Sequence, residues 1–312
     1  MALFFIQPNV SVSNLFCDKF TFTVDYNSAD EKQHILQTIK ELKSYKCMYA
    51  GSFSKMHYKE GIFVCPDENK LSERMLILCG PKKPGKAFLR VGYNPARIDA
   101  DACWNILNAL LPGGIEDIQK FATCTRLDAT VDVTGVHPDQ ILVYYPKMQV
   151  SRSFRKGGHC ETLEMGRYDG DKRIVVYDKV AKIKHWNEKH AMKQPVPDKP
   201  TTRIEIVLRP GLPFNGMLGL TDMFSPLNIA AYVPTAHAET KSETFRMFIA
   251  ASQVHGAHDM LLLLNESTRK AFKKILGQSA CPWWQPAKLW GQWPALVART
   301  FSVGQPSLLL AA

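Results

Sequence analysis

Three short segments of this chain alternate charged or aromatic residues with aliphatic ones, and they carry the side chains with the clearest chemistry. They are residues 126–132, 173–179 and 203–209. Because side chains two positions apart share a face of a β-strand, each segment presents its polar groups on one face. If the three strands lie side by side, a tyrosine, three carboxylates and several cations meet there. Such a set suits metal-assisted phosphoryl transfer.

The three carboxylates are Asp128, Asp132 and Glu205. Hard oxygen ligands of this kind favour Mg²⁺ or Mn²⁺. The same residues also fit a simpler interpretation, in which Arg126 with Asp128 and Arg203 with Glu205 form ion pairs on an exposed sheet. The residues alone leave both interpretations open.

Tyr177 is the candidate nucleophile of the set. A free tyrosine has a pKa of about 10, and a metal ion or a nearby cation such as Lys179 favours the phenolate. A phenolate can attack phosphorus and form a covalent intermediate. The alternative is a tyrosine that only packs within its sheet, and Tyr144, Tyr145 and Tyr168 are competing candidates.

Several familiar catalytic motifs are missing from the sequence. There is no pair of histidines flanking one hydrophobic residue, no glycine-rich phosphate loop and no Gly-x-Ser-x-Gly elbow. NTP hydrolysis and serine-hydrolase chemistry therefore have no support. His255 and His258 lack the adjacent carboxylate of a His-Glu-x-x-His metal site, and His159 lies near a basic hairpin where it could contact phosphate.

The elements that must position these residues read as a mixture of strands and helices. Residues 161–179 predict a hairpin with its turn at 168–171, and Ser28 predicts a helix start. After residue 211 the pattern becomes helical, with helices predicted at 244–254 and 267–276. We therefore expect a domain over residues 1–211 and a helical region over 212–312, which could also be an appendage of the same domain.

The charge of the chain favours a polyanionic partner. The formal net charge is +10 over 312 residues, with a pI of about 9.1. Residues 147–209 hold 15 Lys and Arg against 8 Asp and Glu, a net of +7. Nucleic acid is the commonest partner of such a surface. The alternative is a basic surface that is merely solvated.

Cysteine usage and hydropathy bear on the compartment. None of the eight cysteines forms a Cys-x-x-Cys pair, which argues against a zinc ribbon or a disulfide scaffold. We expect reduced thiols, a cytoplasmic location and no signal peptide, because the apolar N-terminus lacks early positive charge. No run approaches the roughly 20 apolar residues of a membrane span.

The order of the three segments resembles the replication initiation factor family. The segments read Arg-x-Asp-x-x-x-Asp, then a basic strand ending in Tyr-Asp-Lys, then Arg-x-Glu-x-x-Leu-Arg. Residues 18–24, 89–95 and 162–166 resemble further strands of that family. Its members are rolling-circle initiators of plasmids and some filamentous phages, related to the trans-acting Rep proteins. The resemblance covers roughly residues 15–210.

The resemblance implies a fold and an activity. The fold is an α+β fold, with an antiparallel sheet and helices packed on one side, akin to rolling-circle nickases but without their histidine pair. The activity is sequence-specific nicking of one DNA strand at a replication origin. Tyr177 would attack the scissile phosphate and form a 5′-phosphotyrosine link, and a host polymerase would extend the free 3′-OH. Asp128, Asp132 and Glu205 would hold Mg²⁺ or Mn²⁺.

The resemblance also implies roles for basic residues and partners. Arg173, Lys179 and Arg203 would hold DNA phosphates or stabilise developing charge. The predicted DNA contacts are Arg126, Lys172, Arg173, Lys182 and Lys184. The predicted partners are single-stranded or hairpin origin DNA, a host helicase and a host polymerase. The oligomeric state is left open, with a homodimer as one alternative. Glu164 departs from the family's usual apolar or aromatic residue and is either a fourth carboxylate or a salt-bridge partner.

Two other functions compete with nicking. A non-catalytic DNA-binding regulator of a phage or plasmid would use the same basic sheet without cutting DNA. A tyrosine recombinase would need an Arg…His-x-x-Arg…Tyr order on a mostly helical domain. Tyr177 lies mid-chain on a predicted strand, which argues against the recombinase.

Overall fold

The structure is a computed structural model that describes residues 9–43, 48–49, 57–65, 74–98, 100–146, 148–189, 194–232 and 243–301. In these residues it contains fourteen β-strands, nine α-helices and two 3₁₀ turns. The prediction of an α+β fold is therefore confirmed. None of the helices in the described residues is long and apolar enough to cross a membrane.

The strands range in length from the two residues of Ser11–Val12 to the twelve residues of Thr123–Thr134. They are β1 (Ser11–Val12), β2 (Phe16–Val24), β3 (Met48–Tyr49), β4 (Tyr58–Val64), β5 (Met75–Pro81), β6 (Leu89–Tyr93), β7 (Thr123–Thr134), β8 (Ile141–Tyr144), β9 (Ser151–Lys156), β10 (His159–Met165), β11 (Lys172–Asp178), β12 (Thr201–Leu208), β13 (Leu212–Pro213) and β14 (Asn228–Ala231).

The helices lie both between the strands and after them. They are α1 (Ala29–Leu42), α2 (Ala100–Leu110), α3 (Gly114–Phe121), α4 (Lys179–Lys189), α5 (Glu243–His255), α6 (Ala257–Leu263), α7 (Glu266–Gln278), α8 (Pro286–Trp290) and α9 (Trp293–Phe301). The 3₁₀ turns are Pro138–Gln140 and Phe214–Gly219. Helices α5 and α7 lie where the sequence predicted helices after residue 211.

The chain forms two compact units, each assembled from separate segments. Unit 1 comprises Met1–Leu15, Thr130–Val207 and Thr221–Gln292, and unit 2 comprises Phe16–Ala129, Leu208–Leu220 and Trp293–Ala312. A compact unit need not fold alone, so the predicted domain boundary at residue 211 stays a prediction. Strand β7 contributes its first part to unit 2 and its last part to unit 1.

Unit 2 contains strands in the sheet order β3-β4-β5-β6-β2-β7. Strands β4, β5 and β6 are joined by antiparallel pairs, and β2 pairs antiparallel with β6, with Phe20 opposite Tyr93. Phe20 and Phe22 are fully buried and pack against Phe214. Helix α1 begins where predicted, because the Ser28 side chain accepts hydrogen bonds from two backbone amides of its first turn.

Unit 1 contains the sheet order β7-β12-β11-β10-β9. Strand β10 pairs antiparallel with β11 on one side and with β9 on the other. One face of this part of the sheet is aliphatic, with Leu163, Ile174 and Ile204 buried. Helices α5, α6 and α7 supply a separate aromatic and aliphatic cluster around β8 and β14. The opposite face of the sheet carries the polar residues and defines where a site can lie.

Candidate functional site

Two of the three chemically interesting segments and the end of the third lie on neighbouring strands of unit 1. The order β7-β12-β11 places the Arg203 strand between Asp132 and Tyr177. Alternation along β12 and β11 turns Arg203, Glu205 and Tyr177 away from the aliphatic face. The sequence predicted this shared face on the condition that the strands are neighbours.

The Tyr177 hydroxyl is hydrogen-bonded to a carboxylate. It donates to Glu205 Oε1 at 2.5 Å, between β11 and β12. Tyr177 is 3% exposed and packs with Val175 and Val207, while Glu205 is 7% exposed. A buried carboxylate within hydrogen-bond reach of a hydroxyl is positioned to accept its proton. The pair can therefore generate a phenolate, or it can lock the tyrosine in the sheet.

Asp132 joins two cations rather than standing free. Arg203 donates from Nε to Oδ1 at 2.7 Å and from Nη2 to Oδ2 at 3.0 Å, and Lys179 Nζ donates to Oδ2 at 2.7 Å. Burial alone raises the pKa of Asp132, but the hydrogen bonds and charges of Arg203 and Lys179 bring that pKa below its ordinary value. A forked arginine contact of this kind fixes both partners in one geometry. Arg203 is thus paired with Asp132, a partner that the ion-pair interpretation did not expect.

Lys179 reaches Asp132 because it begins a helix. The sequence predicted that the strand would continue through Lys179, whereas β11 ends at Asp178. Asp178 Oδ1 accepts hydrogen bonds from the backbone amides of Val180 and Ala181, which caps the start of α4. Lys179, which was expected as the last residue of the strand, is therefore the first residue of α4.

Arg126 and Asp128 pair with each other in unit 2. Arg126 donates from Nε and Nη2 to the two oxygens of Asp128 at 2.8 and 2.7 Å. Asp128 is 3% exposed. The same-face ion pair that the sequence offered as an alternative is the arrangement seen here. The predicted DNA contact of Arg126 and the predicted metal contact of Asp128 both stay predictions.

Arg173 lies between a carboxylate and an aromatic ring. Its Nη1 is 3.4 Å from Glu164 Oε1, and its guanidinium lies 4.8 Å from the centre of the Tyr168 ring. Glu164 is therefore a salt-bridge partner, one of the two roles that the sequence left open. Tyr168 is 71% exposed whereas Arg173 is buried, so the ring and not the guanidinium faces solvent.

The remaining predicted DNA-binding lysines differ in their surroundings. Lys172 Nζ donates to the Tyr145 hydroxyl at 2.9 Å, and Lys182 Nζ lies 3.8 Å from the centre of the Tyr177 ring. Lys182 and Lys184 are exposed and line a cleft of about 350 Å³. The cleft is also lined by Thr162, the cross-strand neighbour of Tyr177. Cations at an open cleft beside a buried tyrosine are compatible with phosphate binding.

The described residues do not present a preformed metal centre. Among them, no three side chains of His, Cys, Asp or Glu form a group that could hold a metal ion. Asp132 and Asp128 are each bound by cations, and Glu205 accepts the hydroxyl of Tyr177. These carboxylates as placed do not fit a divalent cation, and the prediction of Mg²⁺ or Mn²⁺ stays a prediction.

A cluster of histidines and aspartates was missed by the sequence reasoning. His137 Nε2 lies 3.1 Å from Asp178 Oδ2, and His159 Nδ1 lies 2.8 Å from Asp139 Oδ2. Only His159 had been singled out, as a phosphate contact. His137 and Asp139 flank the proline that starts a 3₁₀ turn, and no spacing in the sequence shows that this turn meets Asp178. The cluster helps to hold the junction directly after Tyr177.

Comparison with solved structures gives a distant likeness. No protein-family model matches the chain, and no curated protein matches it. The structure is similar to that of a rolling circle replication initiator protein from Geobacillus stearothermophilus. The TM-score is 0.37 with 13% sequence identity, over 79% of this chain and 98% of that chain. A likeness this distant does not carry an argument about activity, which rests on the site itself.

Proposed function

We propose that this protein is a DNA nicking and closing enzyme that starts rolling-circle replication through a covalent link to Tyr177. The observation that carries the proposal is the hydrogen bond from the Tyr177 hydroxyl to Glu205. It pairs a nucleophile with a proton acceptor on the face where the sequence motifs placed them. The polar cleft next to Tyr177, lined by Lys182 and Lys184, supplies room for one nucleotide.

The proposed reaction is an exchange of one phosphodiester for another. The phenol proton of Tyr177 passes to the Glu205 carboxylate, and the phenolate oxygen attacks phosphorus. The bond from phosphorus to the 3′ oxygen breaks, and its electron pair stays on that oxygen. The oxygen takes up a proton from water and leaves as a free 3′-OH, while Glu205 returns its proton to the solvent. The 5′ phosphate remains on Tyr177. Closing is the reverse reaction, in which a 3′-OH attacks the phosphotyrosine.

Cations on the polar face would offset the charge that develops on phosphorus. Lys182 lies against the Tyr177 ring, and Lys184 lines the neighbouring cleft. Fixed positive groups that stabilise developing charge lower the barrier in phosphoryl transfer. Arg203 and Lys179 play a different part in this structure, because both are engaged by Asp132. In the absence of DNA they orient the polar face and act as positioning residues. Bound DNA would displace them from Asp132.

Access to the tyrosine is a condition of the proposal. Tyr177 is 3% exposed, so its hydroxyl has to be uncovered before it meets a phosphate. Lys182 of α4 covers part of the ring and is exposed to solvent. A DNA phosphate that attracts Lys182 away from the ring would open that side. Recruitment of a host polymerase and helicase, and a homodimer, belong to the same proposal.

A second candidate function is a DNA-binding regulator that does not cut. The burial of Tyr177 and the ion pairs on Asp132 favour it, because both would also suit a purely structural network. In that case Tyr177 and Glu205 would serve to hold β11 against β12. The basic surface would then act alone.

A covalent-adduct assay separates the two candidates. Single-stranded DNA of mixed sequence, labelled at its 3′ end, is incubated with the protein in Mn²⁺ or in EDTA and resolved on a denaturing gel. We expect a labelled protein band with the wild type and with Tyr168→Phe, which changes an exposed tyrosine. Tyr177→Phe should bind the DNA and give no band. Binding without any band for the wild type would favour the regulator, and a band with Tyr177→Phe would move the nucleophile elsewhere.

A further inference from the structure

We propose that the outer strand β9 carries a base-stacking subsite for single-stranded DNA, in which Phe154 holds a base next to the phosphate that Tyr177 attacks. The inference rests on the proposed function, since it assigns the strand that the same site would hold. The sequence drew no attention to Phe154. Its position in the sheet is what makes it informative.

The register of three strands puts Phe154 in the same row as Tyr177. Phe154 lies opposite Thr162 on β10, and Thr162 lies opposite Tyr177 on β11. Residues directly opposite one another in antiparallel strands point to the same face. Neighbouring strands lie about 4.8 Å apart, so Phe154 and Tyr177 are roughly 10 Å apart along the row. This separation leaves space for a nucleotide beside the scissile phosphate.

Strand β9 divides its residues between a covered face and an open face. Ser151 hydrogen-bonds Asp259, and Arg155 donates to the carbonyl of Val254 at 2.9 Å, which ties one face to α5 and α6. The alternating residues Arg152, Phe154 and Lys156 are exposed on the other face. Phe154 is 50% exposed. The strand therefore offers an aromatic ring between two cations on the side of Tyr177.

No described residue of the protein neutralises either flanking cation. In the described part of the chain, Arg152 and Lys156 take part in no ion pair and no side-chain hydrogen bond. Arg152 lies opposite Glu164, but Glu164 is engaged by Arg173. The Phe154 ring likewise makes no aromatic or cation contact with the described residues. An unstacked ring between two free cations matches the alternating bases and phosphates of a nucleotide strand.

The cleft beside this row has the volume for one nucleotide, and its cations lie among carboxylates. It encloses about 350 Å³ and is lined by Lys156, Thr162, Lys182 and Lys184 among others. Small-ligand sites begin at about 300 Å³. Glu161, Asp178 and Glu188 also line it, and Asp178 is already bound by the amides of α4 and by His137. Single-stranded DNA fits better than duplex, because stacking on Phe154 needs an exposed base face.

Fluorescence anisotropy with labelled oligodeoxythymidine and with a duplex of equal length tests this subsite. Phe154→Ala should weaken single-strand binding about 5- to 150-fold, because one base–aromatic stack is worth that much, and leave duplex binding unchanged. Phe154→Trp should retain binding, whereas Phe154→Leu should lose nearly as much as alanine. The matched control is Phe121→Ala on α3, since Phe121 is 59% exposed and the substitution is the same.

The outcomes separate this inference from the proposed function. Single-strand binding by Phe154→Ala at the wild-type level would overturn the subsite, whether or not Tyr177 forms an adduct. Equal losses for single strand and duplex would overturn it too, as would no single-strand binding by the wild type. A selective loss in Phe154→Ala with no adduct on the wild type would keep the subsite and reject nicking. Thermal melts of all variants establish that each is folded.

Discussion

Asp132 binds two cations at once, and the two contacts make it a central residue of the polar face. Arg203 and Lys179 both bind it at 2.7 Å, and Arg203 is 7% exposed. Removing one partner of a buried ion pair leaves the other charge without compensation, which costs more than the pair contributes. The stability of this face should therefore depend on the Asp132 carboxylate and on its charge.

Asp132→Asn should lower the free energy of unfolding by about 3 kcal/mol at pH 7, because Arg203 then faces a neutral amide. Urea unfolding of both proteins measures the difference. Asp169→Asn is the control, since the Arg167–Asp169 pair has side chains 74% and 73% exposed. A loss below about 0.5 kcal/mol for Asp132→Asn, equal to that of a surface pair, would show that the ion pair is not structural.

The same carboxylate predicts a pH dependence. The folded protein holds the pKa of Asp132 below the unfolded value, so the stabilisation is present above about pH 4 and is lost as pH falls through the folded pKa. Wild-type stability should therefore fall more between pH 5 and pH 3 than that of Asp132→Asn. Parallel acid curves for the two proteins would contradict the assignment.

Residue identities on the polar face were predictable, but their partners were not. The alternation of 173–179 and 203–209 places Tyr177 and Glu205 on polar faces, and the structure joins them. The contact between Arg203 and Asp132 depends on which strands lie side by side. That is a long-range property, and a local pattern of period two does not contain it.

At the scale of elements, the passage from β11 to α4 determines what surrounds the tyrosine. Asp178 ends the strand and caps the helix with one oxygen, while the other meets His137. The helix then brings Lys179 to Asp132 and Lys182 to the Tyr177 ring. One side chain thus fixes the direction of the element that follows the candidate nucleophile.

Asp178→Ala should destabilise the protein by about 1 kcal/mol or more, because it removes a helix cap together with the contact to His137. Asp178→Asn retains an acceptor oxygen for the two amides and should lose less. Thermal or chemical unfolding of the two variants measures the order. Equal stability of alanine and asparagine variants would mean that the cap does not define the start of α4.

Hairpins were easier to anticipate than helix boundaries. The turn at 168–171 between two alternating runs predicted β10 and β11, and both are present. Lys179 was expected on the strand because Tyr-Asp-Lys continues the alternation. The aspartate before a run of helix-forming residues was the available signal for a helix start, and capping outweighed alternation there.

The chain as a whole carries an excess of positive charge, which should govern its affinity for DNA. The formal net charge is +10, and residues 147–209 account for a large share of it. The composition alone predicted a polyanionic partner. The two compact units, however, combine segments far apart in sequence, such as Thr130–Val207 with Thr221–Gln292. The change to a helical pattern after residue 211 is a local feature of the sequence. It does not show which distant segments pack together in one unit.

Affinity for single-stranded DNA should fall with salt in proportion to the phosphates contacted. Lys184→Gln should reduce the steepness of log affinity against log salt by about 0.7, the expected contribution of one phosphate on a single strand. Lys120→Gln is the control, because Lys120 is an exposed lysine paired with Glu116 on α3. Identical slopes for Lys184→Gln and the wild type would remove Lys184 from the DNA contacts.

The central claim is that Tyr177 becomes joined to DNA, and peptide mapping of a nuclease-trimmed adduct tests it most directly. Trypsin releases Tyr177 in the peptide 174–179, which has a single tyrosine, while Tyr168 falls in 168–172 and Tyr144 and Tyr145 fall in 127–147. Mass spectrometry should find the nucleotide mass on the peptide 174–179. A nucleotide on either of the other two peptides, or on none after the protein has bound DNA, would contradict the account.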